Sequence, residues 1–390
     1  MSQLLNERWS ETKDALLEGL TGTRKSSMAV CLENTRRYLA ESATAGATSS
    51  GNIATLNRVI LPVIRRVMTT VIANEIIGVQ PMTGPVAQIH TLRVRYADSS
   101  SEVTAGEEAL SPFKIASAYS GNDGSPAKAA VTSQLEGQPG KRMSIQILKS
   151  PVEAKSRKLS ARWTFEAAQD AQAQQGIDIE AEIMAALAQE ITTEIDQEIL
   201  GSLRSLANVE QTYDQSLVSG TATFVGDEHA ALAILINRTA NLIAQRTRRG
   251  AANWAVISNQ ALTILQSATT SAFARTTEGT FEAPTNTKFV GTLNGAMRVY
   301  VDAYLSDASD ANQILVGYKG SSEADAAAFY CPYIPLMSSG VVLDPATFEP
   351  VVGFLTRYGY VELTNAASSL GNAADYLGRV AITSANVSFQ

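Results

Sequence analysis

Apolar positions along the chain change their spacing several times, and each change marks an element. Between Leu4 and Leu39, Leu16, Leu17 and Leu20, then Met28, Val30, Leu32 and Leu39, recur among many charges. That spacing predicts two short amphipathic helices separated near Gly22. The run Glu41 to Gly51 (ESATAGATSSG) is small and polar with nothing to bury, which predicts a flexible linker. From Ile53 to Ile77 the pattern turns apolar, with Pro62 limiting helix continuity, so an extended arm plus a short helix is expected. Val86 to Tyr96 then alternates through Ile89, Leu92 and Val94, as a half-exposed strand does, and Met143 to Leu148 (MSIQIL) is its expected partner. The stretch between them is rich in Ser, Gly, Ala and Pro and is too long for a hairpin loop. It predicts a protruding two-stranded arm with a mobile tip, its apolar surface covered by a neighbouring subunit.

The clearest periodicity begins after Asp178, a candidate N-cap, and runs to Leu206. Ile179, Ile183, Leu187, Ile191, Ile195, Ile199 and Leu203 recur every four residues. Four residues turn an α-helix by roughly 400°, so the stripe winds around the helix and must meet different partners along its length. A second helix is expected over Ala230 to Thr247, ending in Arg246, Arg248, Arg249 and Gly250, where cations suit the negative helix terminus. Strand Trp254–Ile257, a helix near Ala261–Ser267, a hairpin around Asn294-Gly295 and a strand at Ile314–Tyr318 follow. That order makes a compact α+β lobe over about 226–328. Short strands resume from Phe329, then Val351–Tyr360 and a last strand near Val380–Phe389, and these are expected to return to the long helix.

Composition narrows the function. At 390 residues the chain can bury a large core in two or three lobes. A net charge of -7 argues against tight nucleic-acid or anionic-membrane binding by the molecule as a whole. No run of about twenty apolar residues is present, and the polar start MSQLLNERWSETKD is no signal peptide, so a cytoplasmic site of synthesis is expected. Cys31 and Cys331 are far apart in sequence and read as unpaired thiols. His90 and His229 are the only histidines, neither with a ligand at metal spacing, so neither a zinc site nor a metal is expected. GQPGKR at Gly137–Arg142 lacks the spacing and hydroxyl of a phosphate loop, and no dinucleotide fingerprint or nucleophile elbow occurs. No catalytic residue and no cofactor is expected; the chain reads as structural and not as an enzyme.

Five strings in fixed order resemble the major capsid (head) proteins of T-even-type, myovirus-like tailed phages. They are GVQPMTGPVAQI (Gly78–Ile89), EAKSRKLSA (Glu153–Ala161), AAQD (Ala167–Asp170), VGYKG (Val316–Gly320) and EPVVGFLTRYG (Glu349–Gly359). The resemblance implies an α+β fold of the Hong Kong 97 type. Its parts would be an N-terminal assembly or pro-region at 1–41, an N-arm at 42–85 and an extended loop at 86–150. A peripheral domain built on the long spine helix would take 151–225 plus 329–390, and an axial domain 226–328. The archetype's inserted domain has no room here, since Ala97–Ser144 holds only a modest loop. A vertex (pentamer) paralogue and a cargo nanocompartment shell are the alternative readings.

By the same resemblance the chain assembles in the host cytoplasm into hexamers and pentamers of an icosahedral head that encloses double-stranded DNA. The implied partners are itself, vertex, portal, scaffold, prohead protease and decoration proteins, and packaged DNA held non-specifically, with no membrane. The family protease favours Leu or Ile two positions before a cleaved Glu. The pattern occurs at Leu5-Asn6-Glu7, Leu16-Leu17-Glu18 and Leu39-Ala40-Glu41, and the bond from Glu41 to Ser42, at the start of the expected linker, is the best candidate.

Overall fold

The computed structural model describes residues 9–10, 13–45, 71–109, 116, 119–121, 129–137, 139–175, 178–214, 225–268, 273–275, 288–305, 313–321, 325–347, 349–364 and 372–384. Strands are numbered in chain order: β1 (Gly78–Val79), β2 (Val86–Tyr96), β3 (Glu108–Ala109), β4 (Met143–Glu153), β5 (Lys155–Arg162), β6 (Val209–Asp214), β7 (Trp254–Ile257), β8 (Phe273–Arg275), β9 (Lys288–Leu293), β10 (Met297–Val301), β11 (Gln313–Gly317), β12 (Ala328–Leu343), β13 (Pro350–Glu362) and β14 (Leu377–Ser384). The chain divides into two compact units. One comprises Met1–Ala87, Pro151–Ser202 and Phe329–Val361; the other Gln88–Ser150, Leu203–Ala328 and Glu362–Gln390.

In the first unit the sheet runs β1-β12-β13-β5. β5 pairs antiparallel with β13, Leu159 opposite Phe354 and Arg157 opposite Thr356. Period-two alternation puts Val352, Phe354, Thr356 and Tyr358 on one face of β13, and all four are buried. That face meets the long helix Ile179–Leu206, because Tyr358 Oη and Arg157 on β5 both reach Glu198 on it. Asp178 caps the helix as expected, its Oδ1 accepting the Glu180 N–H at 3.1 Å. The winding stripe is buried from Leu187 through Ile191, Ile195, Ile199 and Leu203. Gly201 does not interrupt the helix, since packing outweighs a propensity loss of about 1 kcal/mol.

The helix Gly22–Ala45 also belongs to this unit and buries Met28, Cys31 and Leu32. Asn34 Nδ2 donates to the carbonyls of Met82 at 2.6 Å and Tyr333 at 3.1 Å. The helix runs four residues past Glu41, so the polar stretch expected as linker begins inside it. Ala43 and Ala45 are good helix formers, and small polar residues carry no intrinsic break. Residues 46–51 of that expected linker, and 53–70 of the expected arm, lie outside the described residues; the short helix Ala73–Ile76 follows.

The second unit holds a mixed sheet ordered β6-β14-β11-β7-β10-β9-β8. β7 pairs parallel with β10 and antiparallel with β11, while β14 pairs with β11 and β6. The last strand therefore lies in this sheet, where the sequence reading returned it to the long helix. Val380 and Ile382 join the core of Ile314, Val316, Val299 and Leu232 there. The helix Val225–Thr247 starts earlier than the apolar pattern suggested, with Glu228 in its first turn, where a carboxylate suits the helix dipole. Ser258 caps Asn259–Ser267 by accepting from the Ala261 N–H. Asn294 and Gly295, at φ 53° and 70°, make the expected turn of the β9–β10 hairpin.

The arm is a three-stranded sheet, β3-β2-β4, in place of the two strands expected. The third strand forms because Val94 and Arg95 pair with Ala109 and Glu108. Tyr96, Val103, Ala109 and Tyr119 bury one another in a small core, the two tyrosine rings 4.5 Å apart. Arg142 closes it: its carbonyl accepts from Tyr119 Oη at 2.6 Å, and its N–H donates to Asp98 at 2.8 Å. Residues 110–115, 117–118 and 122–128 of the expected mobile tip lie outside the described residues.

Candidate assembly surfaces

Three of the five strings picked out in the sequence fall at packing joints. In VGYKG, Gly317 lies flat on the Trp254 ring, where a Cβ would come within 2.1 Å of Cζ2. The neighbouring Lys319 backbone grips the Asn253 amide at both ends, at 2.5 and 3.0 Å. In the Glu349–Gly359 string, a Cβ on Gly359 would meet Val152 Cγ1 at 2.4 Å, and the Arg357 guanidinium covers the Tyr333 ring. GVQPM hands its Gln80 and Met82 N–H groups to the carbonyls of Tyr330 and Pro332. EAKSRKLSA is β5 with its lead-in. These positions shape backbones to one another; none assembles a nucleophile with a base.

A polar cluster that the sequence reading missed ties β5 and β13 to the long helix. Arg157 donates to Glu194 at 2.6 Å, to Glu198 and to Tyr358 Oη at 2.6 Å, and Tyr358 also donates to Glu198. Desolvation opposes charge on Glu198, but the bonds from Arg157 and Tyr358 prevail and hold its carboxyl below the usual range. Burial, then the hydrogen bond to Glu198, push the Tyr358 phenol up. The signal in the sequence was Glu194 and Glu198, four residues apart and so on one helix face.

Two surfaces are unfinished in one copy. On β4, Met143, Ile145 and Ile147 share a face and are 50%, 70% and 61% exposed. Every charged side chain in Val86–Tyr96 and in Lys141–Val152 is basic or histidine. In the first unit a cleft of about 330 Å³ is lined by Trp163, Phe165, Ile179, Val341 and Leu343, with Asp178 and Glu180 at its wall. From Trp163 to Leu203 every charged side chain is a carboxylate. One surface is apolar and basic, the other apolar and acidic. Solvent-exposed apolar rows of this kind mark contact sites.

Leu39, Glu41 and Ser42, the candidate processing residues, lie in the last turns of the helix Gly22–Ala45. Glu18, in the second copy of the pattern, is exposed in the turn before that helix, whereas Leu16 and Leu17 are buried; Glu7 lies outside the described residues. His229 is buried, its Nδ1 2.6 Å from Ser267 Oγ. His90 is exposed on β2. Both cysteines are buried free thiols, and burial pushes each up to about 12. Among the described residues no group of three or more His, Cys, Asp or Glu could hold a metal, and no helix is long and apolar enough to cross a membrane.

The family model described as major capsid protein Gp23 matches residues 53–136 and 126–382. The chain belongs to the Gp23 major capsid protein family. It is 29% identical over 421 residues to the major capsid protein of Vibrio phage KVP40, covering 84% of this chain and 80% of that one. It is also 29% identical over 417 residues to the major capsid protein of Enterobacteria phage T4, covering 83% and 78%. Among solved structures it is similar to one of Mycobacterium phage Bobi, with TM-score 0.46, 13% identity and coverage of 80% and 90%. The capsid of Myoviridae phage XM1 is matched with TM-score 0.43, 11% identity and coverage of 80% and 91%. As a Gp23-family major capsid protein the chain forms the phage head shell with copies of itself, its place is the virion, and its role there is structural.

Proposed function

We propose that the chain builds an icosahedral head of hexamers and pentamers with the Hong Kong 97-type division of labour, enclosing double-stranded DNA. In that reading 42–85 is the N-arm and 86–150 the extended loop. Residues 151–202 with 329–361 form the peripheral domain, and 203–328 with 362–390, which bring β6 and β14 into its sheet, the axial domain. The observation that supports it is the exposed Met143, Ile145 and Ile147 row on β4, flanked by bases. A neighbouring copy offers a match in its acidic, apolar cleft, so the contact is heterologous and propagates head to tail into rings. Each contact is modest, and its repetition around a closed shell supplies the stability. Assembly takes place in the host cytoplasm, with scaffold, portal, vertex and decoration proteins as partners. A prohead protease cuts between Glu41 and Ser42 once the end of the helix opens. The chain carries no catalytic activity of its own.

Deleting Ala97–Ser144 tests the reading. A soluble, folded subunit that forms no shells by electron microscopy is expected, and normal shells would count against the loop's role. The pair Ile145→Lys and Ile147→Lys, which leaves the chain length intact, is expected to give the same loss with an unchanged melting temperature. Mass spectrometry of chains recovered from shells reads the processing step, a start at Ser42 being expected.

A further inference from the structure

We infer that the face of the first unit's sheet turned away from the long helix is the surface that meets packaged duplex DNA, and therefore lines the inside of the shell. The inference rests on the proposed enclosure of DNA and adds to it the surface and the orientation of the subunit.

The register fixes which residues share that face. Arg157, Leu159 and Ala161 on β5 lie opposite Thr356, Phe354 and Val352, on the side that Arg157 and Tyr358 fasten to the long helix. The alternate residues face the other way: Ser156, Lys158, Ser160 and Arg162 on β5, opposite Arg357, Leu355, Gly353 and Val351. All four of the β5 set are exposed. β5 is an edge strand, so nothing in this unit's sheet pairs with its outer side.

Charge sets that face apart from the long helix. The chain carries -7 overall, and its charged side chains from Trp163 to Leu203 are all acidic. On the outward face of β5 the charged side chains are Lys158 and Arg162, interleaved with the hydroxyls of Ser156 and Ser160, and beside them on β13 Arg357 is half-buried against the Tyr333 ring. Glu349 at the rim reaches Arg162 at 3.9 Å, and the Arg162 side chain stays 68% exposed. In the first unit carboxylates are concentrated on the long helix, Arg157 faces them, and Lys158 and Arg162 with hydroxyl donors lie on the opposite face of the sheet. Lys and Arg with hydroxyl groups and no base-reading device make a phosphate surface that tolerates any sequence. A container needs no more, because a few weak contacts per subunit are multiplied over the lattice while the acidic remainder prevents tight adhesion.

Charged residues on an edge strand also discourage edge-to-edge pairing, and the test separates that role from DNA binding. Shell fragments made from the full chain, broken open by freeze–thaw, would be titrated with a 30-base-pair duplex of random sequence at several salt concentrations. The variant Lys158→Glu with Arg162→Glu is expected to form shells normally and to bind at least tenfold more weakly, with the slope of log affinity against log salt reduced by about 2. Lys158→Gln with Arg162→Gln should lose affinity by a smaller factor. The matched change on the helix side, Glu182→Gln with Glu190→Gln, should not weaken binding. Equal binding by wild type and the Glu variant, or no binding by wild-type fragments at low salt, would overturn the assignment. Failure of the variant to assemble while the Gln pair assembles and binds like wild type would also overturn it, giving the face to a protein neighbour. Wild-type heads that never contain DNA would instead sink the enclosure reading itself.

Discussion

At Gly317 there is no room for one more carbon, since the Trp254 ring occupies the place a Cβ would take. Gly317→Ala is expected to cost about 1–3 kcal/mol through displacement of a buried ring, read as a lower denaturant midpoint of the second unit. His229 is a second residue whose environment makes a measurable difference. Burial lowers its pKa, partly offset by the Glu228 charge, so the folded chain prefers the neutral ring. The unfolded chain then binds the extra proton first. Stability is complete above the unfolded value of about 6.5 and is lost as pH falls toward the lowered folded value. Thermal melts between pH 7.5 and 5.5 should show that loss, and His229→Gln should flatten it. Neither effect could be read from the sequence. A glycine in a strand and a lone histidine are uninformative until the neighbour across the fold is known.

The long helix shows what periodicity can and cannot reveal about an element. Its apolar stripe and the Asp178 cap are local properties, and both were legible in order and extent. Its polar attachment was not, because Arg157 and Tyr358 come from strands that are remote in sequence from Glu198. Arg157→Met is expected to lower stability by about 1–2 kcal/mol, a figure reduced because these side chains are about a third exposed. The same variant should shift the acid limb of the unfolding curve. Glu198 has a depressed folded pKa, so its contribution is present above the ordinary Glu range and is lost as pH falls through the lowered value. A melt series from pH 6 to pH 3 would read the difference between variant and wild type. The arm carries a similar lesson. Alternation predicted β2 and β4, but β3 forms because the tyrosine core folds the chain back on β2, which no two-residue pattern announces.

At the scale of the whole molecule, the distribution of charge matters more than its sum. A net of -7 conceals bases flanking the exposed β4 row, an acidic block from Trp163 to Leu203 and a basic outer face on β5. If arm and cleft meet between copies, Lys149→Glu alone and Glu180→Lys alone should each reduce the yield of shells severalfold. The two changes together should restore most of it, which quantitative electron microscopy would show. Among the strings that carried the resemblance, VGYKG and the Glu349–Gly359 string lie where backbones press together and few residues fit, as at Gly317 and Gly359. By itself the sequence determined the order of the elements, the length of the long helix, the presence of an arm that one copy leaves uncovered, and the family, since periodicity and close-packed strings are written in consecutive residues. Only the tertiary structure decided that β14 joins the second unit's sheet, that the N-terminal helix buries Cys31 and Leu32 in the first unit, and that Lys158 and Arg162 turn away from the carboxylates of the long helix while Arg157 turns toward them. Those outcomes depend on register and on contacts between distant segments, and a linear pattern does not encode which partner a strand or helix face will find.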